Sequence, residues 1–536
     1  MMATPFSGRP AALATAAGLR PWPRRRFLAG MALLALLLLA LAALRPLSVP
    51  DEGRYGEVSR WMLVSGDWLI PRLDGLPLFH KPPLTHWLQA ASLWAFGVTP
   101  WAARLPQVLL ALLMVGGLYL AVRRTLGEAL AQRAALMLAV SPAVLLGGQY
   151  VNHDIGVAAW IATCIWCFAL ALLHGERPHA GWARAGFVAS ALGVLTKGLI
   201  GAALPGLVLL LWVGWTRQWR KLPRLPWASG LGLFVLVALP WFVLAGRQYP
   251  GLWGYLFGVQ QFARYTGGGF NNQQPWWFYL AALAVLLLPW SVFVLFEALA
   301  GIRKARAAIK EEANPLRSLA WIWLLAIVVF FTLPRSKLIG YILPALPPLA
   351  VLAALGWQRA TAGRASAGRW LGALTALALA LSVGVTVFFA QPGREKLSAD
   401  VAQALACRLR PGDTVYVLGG YPYDLPFVAQ TRAPLVVLAD WPRLRARSGD
   451  SWERELFEGG DFEPALARRL LREPAVLAEA ATQPGAWLVL RRSRDGALPL
   501  PARWRPVFEG RAWRLLASAP ERPEPAQHEG LAGCHQ

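Results

Sequence analysis

The sequence predicts an α-helical integral membrane protein with about eleven to thirteen transmembrane helices, followed by a small soluble α/β domain at the C-terminal end. Three observations carry this. Of the 536 residues, 56% are hydrophobic and 27 are Trp, with a mean hydropathy of +0.42, more apolar surface than a soluble chain could hide. Apolar runs long enough to cross a bilayer recur from Phe27 onward. The basic residues fall in the short gaps between those runs, at Arg123, Arg124 and Arg133, then Arg217, Arg220, Lys221 and Arg224, then Arg303, Lys304, Arg306 and Lys310, then Arg359, Arg364 and Arg369.

Those gaps explain the net charge of +24. If the runs alternate direction, every gap lies on the side of Arg24, Arg25 and Arg26, the distribution expected of cytoplasmic loops. The charge is therefore a topology signal, and no nucleic-acid partner is implied.

Residues 1–26 are a basic cytoplasmic N-terminus. Residues 27–44 are the first span, an uncleaved anchor given its length and the spans that follow it. The membrane domain covers residues 27–390. At about 17–25 residues per span, further spans centre near Leu113, Pro142, Cys164, Ala191, Leu207, Leu236, Leu287, Ile327, Pro347 and Ala380. Thr196-Lys197-Gly198 splits residues 185–215 into two short spans that meet at the outer face.

Long outward segments are expected at residues 47–105, at 246–274 and after Gln391. In the first, Val58, Trp61, Met62 and Leu63 alternate with polar residues at helical spacing, which predicts helices lying along the membrane surface. Residues 391–519 change to the composition of an α/β unit. Helices are expected at 401–409 and 464–472, and strands at 414–418, 435–438, 487–490 and 513–516. Residues 520–536 are Pro-, Glu-, Gln- and Gly-rich and are expected to be disordered.

Of the four Cys, Cys164 and Cys167 lie in an apolar run, where packing is the plainer explanation of a C-x-x-C spacing. Cys407 and Cys534 both fall in the outward C-terminal segment, where an oxidising compartment would permit a bridge. Gly267-Gly268-Gly269 follows no strand and is a loop rather than a phosphate cradle. The run Pro275 to Tyr279 is an interfacial anchor.

Polar residues that break apolar context converge on the outward face. Asp51, Glu52, Arg54 and Tyr55 lie just past the first span. His80 and Lys81 follow in the same loop, and His153 and Asp154 end the third span. Lys197 sits between the paired short spans. Arg264 and Tyr265 are in the second outward loop, with Arg335, Lys337 and Tyr341 at a later outward turn. Singly, each has a bland explanation: an interfacial Lys snorkels and an Asp caps a helix. Together, carboxylates beside several fixed cations suit a reaction that needs a general base and an anion clamp. A phosphate leaving group on a membrane-bound donor would match. A transporter or lipid flippase is the alternative, but it should carry ionisable groups at mid-membrane and paired repeats. A scaffold would leave the charged collection unexplained.

The stretch DEGRYGEVSRWMLVSGDWLIPRLDGLPLFHKPPLTHW (residues 51–87) resembles the first outward loop of polyprenyl-phosphate-sugar-dependent membrane glycosyltransferases. That family includes the lipid A aminoarabinose transferases and the protein O-mannosyltransferases. The likeness continues through HDIGVAAW (153–160), LTKG (195–198), QQFARY (260–265), PWWFY (275–279) and RSKLIGYILPALPPLA (335–350). The resemblance implies a GT-C-type fold in a bacterial inner membrane, with its site facing the periplasm. It implies transfer of a sugar, with inversion, from a polyprenyl-phosphate donor to a cell-envelope acceptor, a lipid A-like lipid first and a protein or glycan second.

By position, the resemblance makes Asp51 the catalytic carboxylate, with Glu52 assisting. Arg54, Lys81, Arg264 and Lys337 would face the donor phosphate, Tyr55 and Tyr341 would line the pocket, and Asp154 and Lys197 occupy recurring polar positions. His80 stands where aminoarabinose transferases have Glu, and Gln260-Gln261 where the family has Glu-His, positions that can hold a metal ion. One His and one Gln make a poor pair of ligands, so no cofactor is predicted and a divalent metal is disfavoured.

Overall fold

The computed structural model describes residues 20–263, 272–306, 314–391, 397–447, 451–494 and 501–518. The expectations for Arg264, Tyr265, Gly267-Gly268-Gly269, Cys534 and the tail 520–536 lie outside the described residues, and with Cys534 goes the pairing of Cys407.

The Leu/Ala-rich helix α1 (Arg24–Leu41) leads into a compact outward loop. That loop contains α2 (Asp51–Ser65), a two-residue hairpin of β1 (Arg72–Leu73) and β2 (Leu76–Pro77), and α3 (Leu84–Phe96). Gly66, at φ 71°, closes α2 in the left-handed conformation that its missing Cβ permits. The bundle continues as α4 (Pro100–Thr125), α5 (Glu128–Ala139), α6 (Pro142–Gly147), α7 (Asp154–Leu173), α8 (Ala180–Lys197), α9 (Ile200–Trp215) and α10 (Trp227–Gln248). After a π-helical turn (Gly254–Ala263) come α11 (Phe278–Leu286), α12 (Ser291–Arg306) and α13 (Pro315–Thr332). A 3₁₀ turn (Ile339–Ala345) then runs into α14 (Leu346–Ala360), and α15 (Ala367–Ala390) follows.

Among the described residues, six helical segments are long and apolar enough to cross a membrane: α4, α7, α10, α13, the Ile339–Ala360 unit and α15. The pair α11 and α12 adds a seventh if counted as one span, bent by 114° where Pro289 interrupts the ladder. The remaining expected spans fall on helices that depart from the simple pattern. Helix α1 carries Arg24, Arg25 and Arg26 in its first turn, α5 and α6 are separated at Ser141-Pro142, α8 ends on Lys197, and α9 has only 16 residues.

Small residues let these helices approach, as expected where lipid gives no hydrophobic drive to associate. A Cβ on Gly201 would lie 2.1 Å from the carbonyl carbon of Gly193, so α8 and α9 touch backbone to backbone. The same device operates in α2. A Cβ on Gly53 would come within 2.9 Å of the Tyr423 carbonyl, and Gly56 packs against Leu47 and Phe427.

The amphipathic spacing of α2 predicts a helix lying along the membrane surface; the structure instead holds most of it inside the protein, between the bundle and the C-terminal domain. Its buried residues are Glu52, Gly53, Arg54, Gly56, Glu57, Val58, Ser59, Arg60, Trp61 and Met62. The charges among them are neutralised internally, with Arg60 donating to Glu57 at 2.6 and 2.7 Å.

The C-terminal domain holds a six-stranded sheet in the order β5-β4-β3-β6-β8-β7. Strands β3 (Thr414–Leu418), β4 (Val436–Leu438), β5 (Leu471–Arg472) and β6 (Ala486–Arg491) run parallel, while β7 (Trp504–Glu509) and β8 (Trp513–Ser518) add an antiparallel edge. Its helices are α16 (Ala399–Ala406), α17 (Leu425–Ala429), α18 (Trp441–Arg447), α19 (Arg454–Phe462), α20 (Pro464–Leu470) and α21 (Leu477–Ala480). Strands β5 and β7 are additions to the sequence reading: β5 has only two residues, and β7 is interrupted by Pro506 at a bulge. The domain's apolar core is continuous with Val58 of α2 and Leu73 and Leu78 of the outward loop, so the domain is seated on the loop.

Candidate active site

Asp51 opens α2, where the helix N-terminus favours a negative charge. Arg54, one turn on, donates to Asp51 Oδ1 at 2.8 Å, and the Tyr150 hydroxyl lies 3.4 Å from Oδ2. The carboxylate is half-buried, and burial raises its pKa above the ordinary range. Arg54 and Tyr150 oppose that rise, while Glu455 and Asp154 add to it. The result is an oriented carboxylate with partial solvent access and enhanced basicity, which suits proton abstraction.

A second group sits at the outward ends of α7 and α8. Lys197, in the last turn of α8, pairs with Asp154 in the first turn of α7, each charge matching its helix dipole. The Lys197 ammonium also lies 4.3 Å from the centre of the Tyr341 ring. Gly340 makes this possible, since a Cβ there would fall 2.0 Å from Asp154 Oδ2. Lys81 is half-buried. It and Arg54 and Lys197 all stand close enough to His153 to act on its charge, so the first loop, α7 and α8 converge.

The C-terminal domain supplies a third group that the sequence reading missed. Glu455 of α19 pairs with Arg54, whose guanidinium stacks 4.3 Å from the Tyr55 ring and 4.7 Å from the Trp452 ring. His80 places Nδ1 3.2 Å from Glu455 and Nε2 3.2 Å from Glu458. Burial alone would lower the His80 pKa, but the two carboxylates win and raise it. Glu458 also accepts from the Tyr255 hydroxyl at 2.6 Å and from Arg454 at 2.5 Å, and Gln260 donates to Tyr255 at 2.9 Å. These contacts hold Glu458 at about 2 against its burial. Gly459-Gly460, unusual inside a helix, is the one sequence signal for this docking, because a Cβ on Gly459 would lie 2.5 Å from the Pro77 carbonyl oxygen.

Two of the expected site residues have their polar atoms engaged elsewhere in this geometry. Glu52 is fully buried and points away from Asp51 into a cage. Arg104 donates to its oxygens at 2.9 and 2.8 Å, the Val151 and Ser48 amides donate at 2.9 Å each, and Arg45 completes the set. Burial would raise its pKa, yet Arg104 and Arg45 hold it at about 2. With its acceptor capacity used, Glu52 fastens the start of α2 and has no means of assisting at a reacting atom. Lys337 is also turned inward. Its ammonium donates to the Gln274 and Pro334 carbonyls at 3.1 and 2.6 Å, and the adjacent backbone pairs Gln273 with Ser336. It staples two outward segments together. Arg54, expected to face the donor phosphate, has its charge met by the carboxylates of Asp51 and Glu455.

At the expected metal positions, both His80 ring nitrogens lie against carboxylates and the Gln260 side-chain N–H donates to the Tyr255 hydroxyl. No group of three or more His, Cys, Asp or Glu among the described residues is arranged to hold a metal.

Fold and site together define a multi-pass inner-membrane protein with its polar chemistry gathered at one end of the bundle, under an α/β roof. Residues 80–243 match the family described as dolichyl-phosphate-mannose-protein mannosyltransferase. The undecaprenyl phosphate-alpha-4-amino-4-deoxy-L-arabinose arabinosyl transferase of Pseudomonas paraeruginosa is 35% identical over 327 residues, 60% of this chain and 58% of that protein. Its counterpart numbered 1 in Sodalis glossinidius is 33% identical over 380 residues, 70% of this chain and 63% of that one. The matched stretch thus spans less than two thirds of either relative. The crystal structure of ArnT from Cupriavidus metallidurans bound to undecaprenyl phosphate superposes with a TM-score of 0.76 at 26% identity, covering 94% of this chain and all of that one. Its apo form gives 0.74. The chain is similar to the polyprenyl-phosphate-sugar-dependent membrane glycosyltransferases and has their GT-C-type fold.

Proposed function

We propose that this chain moves one sugar from a polyprenyl-phosphate carrier of the undecaprenyl class to a hydroxyl or phosphate of a cell-envelope acceptor at the periplasmic face. A lipid A-like lipid is the first acceptor, with a protein or glycan second. The observation that carries this reading is Asp51: a half-buried carboxylate oriented by Arg54 and Tyr150, at the end of the bundle where Lys81 and Lys197 gather around His153. The likeness to a structure holding undecaprenyl phosphate supports the donor class.

In this reading Asp51 takes the acceptor proton as the acceptor oxygen bonds to the anomeric carbon. The bond from that carbon to the phosphate oxygen breaks on the opposite face, which inverts the configuration. Its electron pair leaves with the polyprenyl phosphate, whose developing charge is met by fixed cations. Glu52 acts only by holding α2. Asp154 fixes Lys197, and Tyr341 shields that pair.

The test is transfer of label from undecaprenyl-phosphate sugars to envelope lipid by the purified chain in liposomes. Asp51→Asn, equally folded, should lower transfer by about a hundredfold or more. Undiminished transfer by Asp51→Asn would remove the assigned base. The labelled product identifies the acceptor.

A further inference from the structure

His153 has no part in the chemistry described so far, yet its position is unusual. It immediately precedes α7, with a side chain only 2% exposed, and neither Nδ1 nor Nε2 has a hydrogen-bond partner. Its neighbour His86, equally buried, has Ser59 Oγ at 3.2 Å from Nδ1. The His153 ring stands edge-on to Tyr55 at 4.7 Å and to His86 at 5.3 Å. The charged and titratable groups acting on it are His86, Lys81, Lys197 and Arg54.

Packing does not explain this residue. A buried imidazole that makes no hydrogen bond loses its hydration without compensation, and Leu or Met would fill the same space at less cost. Cations on the first loop and α8, with burial, keep the ring neutral. A neutral ring carries one N–H, and that donor is poorly placed among positive charges unless an anionic oxygen lies between them. Lys197 and Arg54 already hold carboxylates, so a further uncharged donor adds grip on an anion without adding repulsion.

We infer that His153 binds the donor's phosphate, its ring N–H donating to a phosphate oxygen held between the first outward loop and the outward ends of α7 and α8. The inference rests on the donor being a polyprenyl phosphate. His153 would contact the leaving group in both ground and transition states, so its loss should appear first as weaker donor binding.

The experiment is equilibrium binding of undecaprenyl phosphate and of uncharged undecaprenol to the full chain in nanodiscs, with inorganic phosphate as competitor. Wild type is compared with His153→Leu and His153→Gln, and thermal stability is recorded for each. His153→Leu should bind undecaprenyl phosphate about tenfold or more weakly, bind undecaprenol as wild type does, and be no less thermostable. His153→Gln, which keeps an N–H donor, should recover part of the affinity. Inorganic phosphate should compete less effectively against undecaprenyl phosphate in His153→Leu than in wild type. Equal affinities in wild type and His153→Leu would overturn the inference and leave the proposed reaction standing. Equal weakening for undecaprenyl phosphate and undecaprenol would assign His153 to packing and overturn it also. If wild type does not distinguish the two lipids, the donor reading fails and the inference falls with it.

Discussion

Asp51 and Glu52 are adjacent in sequence and opposite in environment. Asp51 keeps a path to solvent and has a pKa raised by burial. If it is the base, it works only when ionised, so kcat/KM should fall as pH drops through a value above the ordinary aspartate figure of about 3.9. A pH profile of kcat/KM measures that acid limb, and a limb at or below the ordinary value would remove Asp51 as the titrating group. Glu52 behaves in the opposite sense. Its folded pKa of about 2 lies below the unfolded value of 4.5, and each tenfold change in proton affinity is worth about 1.4 kcal/mol. The cage therefore contributes about 3 kcal/mol, fully present above the unfolded value and lost as pH falls toward the folded one. Glu52→Gln should cost a similar amount at neutral pH by leaving Arg45 and Arg104 buried without their carboxylate. Denaturation of the purified protein tests this, and an unchanged stability would contradict the cage.

At the scale of elements, glycines decide how closely the pieces meet. Gly53→Ala would drive a Cβ against the Tyr423 backbone, and neither backbone yields cheaply. It should cost on the order of 1–3 kcal/mol, loosen α2 against the domain and lower transfer. Gly116→Ala, with nothing within 4 Å of the added Cβ, is the control and should leave activity intact. Limited proteolysis and transfer assays on both variants check this, and a Gly53→Ala protein as compact and active as the control would refute the close-packing argument. The same elements explain what the sequence made visible. The start of α2 was legible because Asp51, Glu52, Arg54 and Tyr55 interrupt an apolar chain. Its burial was not, since Glu57 and Arg60 suggest an exposed face until they are found paired with each other. Helix α19 was hidden for the same reason: Arg454, Glu455 and Glu458 resemble a solvated helix, and Arg54, the partner of Glu455, is 401 residues away in sequence. The strands of the domain core were legible through their buried aliphatic runs, but β5, at two residues, is fixed by pairing with β4 alone.

For the whole molecule, the consequence is that bundle and C-terminal domain share one site. Arg72 donates to Glu463 at 2.9 Å, and Tyr249 also holds Glu463. Phe79, Tyr249 and Tyr255 pack around Phe462, and His80 joins Glu455 to Glu458. A domain held only by apolar contacts would dock equally at all ordinary pH values; this one is also held by His80, set between two carboxylates that favour its charged form. The groups facing His80 are Glu455 and Glu458 on α19 and Tyr255 on the π-helical turn. Because its folded pKa is raised, its contribution is fully present below the ordinary histidine value of about 6.5 and is lost as pH rises through the folded value. Hydrogen exchange of the amides of Arg454–Phe462, corrected for intrinsic rates, should therefore quicken as the pH is raised from below the ordinary histidine value of about 6.5 through the folded value above it. His80→Gln should show fast exchange at the lower pH already, with little further change on going to the higher one. If α19 in wild type exchanges at the same corrected rate across that range, the clamp is not what seats the domain, and the apolar contacts around Phe462 suffice.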